Sequence, residues 1–77
     1  MVFIYIEQTE NKVIMNCHKN TEDGEFFRMI LDAETGKVLE RPDYVGVDES
    51  TAYGHVLRLI KSGQPLPKKT ASEWGWQ

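Results

Sequence analysis

Cys17 and His18 stand side by side, and a thiol next to an imidazole is the pairing from which a nucleophilic thiolate arises. On a strand that adjacency defeats the chemistry, because successive side chains point to opposite faces. The expectation is therefore a buried structural thiol at Cys17, with His18 turned the other way. A metal site needs three or four ligands. The nitrogen and sulfur donors are Cys17, His18 and His55, without the repeated spacing of a zinc motif, so neither a metal nor a cofactor is expected. His55 reads as a partly covered ring hydrogen-bonded to a neighbour.

Paired carboxylates perform acid and base chemistry only where a cleft holds them together and separates their pKa values. Glu7, Glu10, Glu22, Asp23, Glu25, Glu34 and Glu40 fall in turns or at strand ends, where solvation accounts for them. No glycine-rich phosphate loop is present, no nucleophile, base and orienting group come together, and the chain does not read as an enzyme or as the receptor of a small molecule. Arg58 and Lys61 on a helix, then Lys68 and Lys69 with Trp74 and Trp76, supply the charge and aromatic surface that a nucleic acid uses. Four cations on a chain of net charge -3 fit a solvated face better, and nucleic acid is not the expected partner.

The elements that position these residues begin with residues 2–6, a β-branched and aromatic run closed by a polar turn in which Asn11 suits a left-handed conformation. Val13, Met15 and Cys17 then share one face of a second strand. After the polar loop 19–24, residues 25–32 alternate with Phe27, Met29 and Leu31 on one face. Gly36 supplies the positive φ of a tight reversal, and residues 38–40 return as a short fourth strand. Pro42 and Gly46 carry the chain off the sheet. A helix follows, with Asp48 as its expected N-cap and Ala52, Tyr53, Val56, Leu57, Leu59 and Ile60 in one sector at 100° per residue. Gly63, Pro65 and Pro67 stop it near Ser62.

The expected fold class is α+β: a four-stranded antiparallel β-meander followed by one C-terminal α-helix packed on one face (ββββα), with an extended tail. Residues 1–69 form a single domain and residues 70–77 a tail, docked or frayed. With 77 residues, folding buries only about 60% of the unfolded surface. The composition, 40% hydrophobic and 27% charged, is that of a globular chain. A single cysteine permits no internal disulfide, which points to a reducing, cytoplasmic setting, and the five-residue apolar run at 2–6 is too short to cross a bilayer. Residues 1–50 hold 11 acidic and 5 basic side chains and residues 51–77 hold 1 and 4, so the two ends differ in sign.

Two stretches resemble known patterns. Asp32-Ala33-Glu34-Thr35-Gly36-Lys37-Val38-Leu39 resembles the strand, turn and strand ending of PepSY-type domains. Pro42-Asp43-Tyr44-Val45-Gly46, a helix and then Gly63-Gln64-Pro65-Leu66-Pro67 resemble the second half of HicB-type antitoxins, which implies toxin neutralisation and often a DNA-binding partner domain. The first half departs from that family, no DNA-binding segment follows the tail, and membership of neither family is claimed.

A single helix covers one face of a sheet. Phe3, Tyr5, Ile14, Phe26 and Ile30 are expected on the other, an apolar excess seldom left in water. Trp74 and Trp76 folding back, a second copy in a homodimer, or another protein would bury it. The leading reading is a non-enzymatic protein-interaction module, with Phe3, Tyr5, Ile14, Phe26, Ile30, Trp74 and Trp76 as its binding residues. The alternative is a small regulatory protein of antitoxin or phage-inhibitor type acting through Arg58, Lys61, Lys68 and Lys69.

Overall fold

A computed structural model describes residues 1–73. Strands β1 (Val2–Gln8), β2 (Lys12–Lys19), β3 (Phe26–Asp32) and β4 (Val38–Glu40) precede helix α1 (Val47–Ser62) and strand β5 (Lys69–Ser72). All pairings are antiparallel, in the order β4-β3-β2-β1-β5. The α+β class and the meander stand as read from the pattern. The ββββα expectation is one strand short, because residues 69–72 join the sheet beside β1 instead of trailing as a tail. The physical reason lies in β1: its far edge offers an open ladder, and Ile6 N–H donates to the Lys68 carbonyl to start the pairing.

Helix α1 thus carries the chain from one edge of the sheet to the other. Its Ala52 and Val56 are fully buried against Val2, Ile4, Val13, Met15, Cys17 and Leu31, and Tyr53 and Ile60 pack at the margin of this core. The period-2 alternation of the three long strands selects the inner set, so the core lies wholly between the sheet and the helix.

Two local expectations are corrected. Asn11 keeps ordinary backbone angles, since Thr9 N–H donates to the Lys12 carbonyl and Thr9 Oγ1 accepts from Lys12 N–H to close that turn. The left-handed asparagine is Asn20, φ 68°, at the start of the β2–β3 loop. The helix begins at Val47 with Gly46 as N-cap, two residues before Asp48. Glu49 explains the shift: its carboxylate accepts from Gly46 N–H at 2.9 Å, which fixes the start of the helix around that residue. Gly36 is as expected, with φ 78°, and a Cβ there would lie 2.3 Å from Leu57 Cδ1. Asp32 braces the same turn by accepting from the N–H groups of Glu34 and Thr35 at 2.8 and 2.9 Å.

Candidate functional site

The outer face of the sheet, opposite α1, is a grid set by the strand register. One row runs Ala71, Phe3, His18, Phe26; the next runs Lys69, Tyr5, Asn16, Arg28; a third runs Glu7, Ile14, Ile30, Glu40. All five apolar residues expected on the uncovered side are there. Phe3, Tyr5, Ile14 and Ile30 are half-buried, and Phe26 is 54% exposed. The expected cover, Trp74 and Trp76, lies outside the described residues.

His18 occupies the middle of the aromatic row. Its ring meets Tyr5 edge-on at 5.9 Å and lies tilted against Phe26 at 5.4 Å. Its Nδ1 is 3.1 Å from the Gly24 carbonyl, which can only accept, so Nδ1 is the donor of this contact. The β2–β3 loop that brings Gly24 here also reaches over the flank of the face. Glu22 accepts from the Tyr5 hydroxyl at 3.4 Å and pairs with Lys69, whose ammonium lies 5.4 Å from the centre of the Tyr5 ring. On the opposite flank Arg28 pairs with Glu40 at 3.8 Å. An ion pair therefore stands on each flank of an apolar centre.

The chemistry-bearing residues fall elsewhere. Cys17 is buried on the inner face, and burial, then the Glu49 carboxylate, pushes its thiol up to about 12, which makes it inert as a nucleophile. Glu49 is 3% exposed and pairs with Lys19 at 2.9 Å; Lys19 also reaches Glu25 at 3.5 Å. The Glu49 hydrogen bond holds the Lys19 ammonium more firmly protonated than usual. His55 Nε2 lies 3.1 Å from Thr70 Oγ1, and burial, then Arg58, favours its neutral form. His55, Arg58 and Ser72 line an open groove of about 380 Å³ at the seam between α1 and β5. Among the described residues no group of three or more His, Cys, Asp or Glu side chains is arranged to hold a metal ion.

The four expected nucleic-acid contacts do not come together. Arg58, Lys61 and Lys68 are exposed, the first two on α1, whereas Lys69 sits across the sheet on the outer face and is paired with Glu22. Sequence reasoning missed Glu22 and Lys69 as neighbours of Tyr5, because they are 47 residues apart and only the β1–β5 pairing joins them. No protein-family model, curated protein or solved structure matches the chain. Among the described residues, no helix is long and apolar enough to cross a membrane.

Proposed function

We propose that the chain is a non-enzymatic self-association module whose outer sheet face packs on the same face of a second copy. The observation that carries this reading is the row of Phe3, His18 and Phe26 with Ile14 and Ile30 beyond it, on a face that α1 does not cover. Face-to-face sheets pack about 10 Å apart with their inner side chains interdigitated, which would turn two two-layer protomers into a four-layer sandwich. Charge favours a second copy as the occupant. The chain is acidic overall, yet on this face Glu22 is matched by Lys69 and Glu40 by Arg28, which leaves Glu7 at the margin accepting from Asn16 Nδ2 at 3.3 Å. A two-fold axis along β2 sets Arg28 of each copy against the Tyr5 and Glu22 flank of the other and lays Phe3 over Phe26. The lone buried thiol fits a reducing, cytoplasmic setting.

Light scattering on size-fractionated protein tests the reading. A dimer is expected, and Phe26→Asp is expected to convert it to monomer while the fold survives, because an exposed side chain on a strand contributes about 1 kcal/mol or less to stability. A parent chain that stays monomeric at millimolar concentration rejects self-association.

A further inference from the structure

Strand β5 forms one margin of the sheet, and among the described residues no strand pairs with its other side. Ile6 N–H donates to the Lys68 carbonyl and Ile4 stands opposite Thr70, so by antiparallel alternation the N–H and C=O groups of Lys69 and Ala71 point away from β1. Both residues are exposed, and the register against β1 runs without a shift from Val2 opposite Ser72 to Tyr5 opposite Lys69. The opposite margin differs. Strand β4 has three residues, a register shift against β3 and Pro42 two positions past its end, devices that blunt an edge against further pairing.

The surroundings of β5 are cationic although the chain is acidic. Residues 58–73 hold Arg58, Lys61, Lys68 and Lys69 against the single acid Glu73, whereas the whole chain carries -3. On the outer face Lys69 is taken by Glu22. On the helix side His55 bonds Thr70, which ties β5 to α1, and Arg58 lines the adjoining groove of about 380 Å³. We propose that β5 takes up an extended acidic segment of another protein as a sixth strand of this five-stranded sheet, bonded to the backbone of Lys69 and Ala71 and with a carboxylate meeting Arg58. The occupant is an extended chain because a strand presents N–H and C=O groups at the two-residue spacing of Lys69 and Ala71. It is acidic because a strand added there sends alternate side chains to the α1 side, where a basic one meets the like charge of Arg58. This site lies apart from the outer apolar face and does not depend on self-association.

The test titrates the full chain with a capped peptide of alternating threonine and glutamate, about six residues long, followed by amide resonances and amide hydrogen exchange. Saturable shifts and slowed exchange are expected at Lys69 and Ala71, Thr70 and Ser72 being turned towards β1 already. The lysine counterpart of the peptide, and Arg58→Glu with the original peptide, are each expected to bind about fivefold more weakly. Ala71→Pro removes an outward donor and spares the β1 ladder, so it is expected to weaken binding about tenfold while Ile4 and Ile6 stay protected. A peptide methylated at every amide makes the same check on the unaltered chain, and binding by it overturns strand addition. Lys69 and Ala71 amides unmoved at millimolar peptide do so too. Equal binding of the lysine peptide overturns the acidic choice. Exchange at Lys69 and Ala71 that slows with the chain's own concentration, without peptide, makes a second copy the occupant and overturns the separate partner.

Discussion

Glu49 spends both of its oxygens on structure: Oε1 accepts from Gly46 N–H and Oε2 pairs with Lys19. Burial pushes its carboxyl up, but the Lys19 hydrogen bond and charge and the backbone N–H groups outweigh it, and the net direction is below the usual glutamate range. Because the folded pKa is depressed, the stabilisation is fully present above the ordinary glutamate value and is lost as pH falls through the folded one. Glu49→Gln is expected to cost about 1–3 kcal/mol at pH 7 by urea unfolding, since it leaves Lys19 with the exposed Glu25 alone. The gap between variant and parent should close as pH is lowered from 7 towards 3; a gap independent of pH would mean that the charge of Glu49 does not matter. None of this was legible locally. An acidic residue in a first turn reads as dipole compensation, and nothing near Lys19 in the chain announces a partner 30 residues away.

Strand β1 was legible as a β-branched and aromatic run, β2 and β3 because apolar residues recur at every second position on one face, and α1 because its apolar sector ends at a glycine and two prolines. Strand β5 was not, since Lys69-Thr70-Ala71-Ser72 has no apolar face of its own and is a strand only because β1 pairs with it. Ile6 N–H bonds the Lys68 carbonyl, so by antiparallel alternation the N–H groups of Val2, Ile4 and Ile6 point towards β5 and those of Phe3, Tyr5 and Glu7 towards β2. Thr70→Pro removes the donor opposite Ile4 and should cost about 3 kcal/mol. Amide hydrogen exchange is expected to quicken at Val2, Ile4 and Ile6 while Phe3, Tyr5 and Glu7 stay protected. Equal acceleration along β1 would show that β5 supports the whole sheet rather than one edge.

Taken as a molecule, the described residues form one core, and their apolar side chains divide into an inner set that the helix seals and an outer set that it does not cover. That division could be read from the pattern of residues. The fittings on the outer face, with Glu22 and Lys69 over Tyr5 and Gly24 bonded to His18, depend on loop conformation and long-range register and could not. A single core makes unfolding a two-state event. Alkylation of Cys17 under increasing urea is therefore expected to follow the loss of far-ultraviolet dichroism with the same midpoint, the thiol being unreactive in the folded chain. Labelling well before that midpoint would reveal a local opening between α1 and β2.

The pairing of β1 with β5 also orders events during synthesis. Strand β1 is made well before the strand that completes its ladder, which is made only at residues 69–72. At ribosomal rates of about 5–20 residues per second, a nascent chain displays the backbone of Val2, Ile4 and Ile6 along an open margin for on the order of seconds. Over that interval the growing polypeptide is most vulnerable to pairing with a stranger, and the arrival of Thr70 ends it.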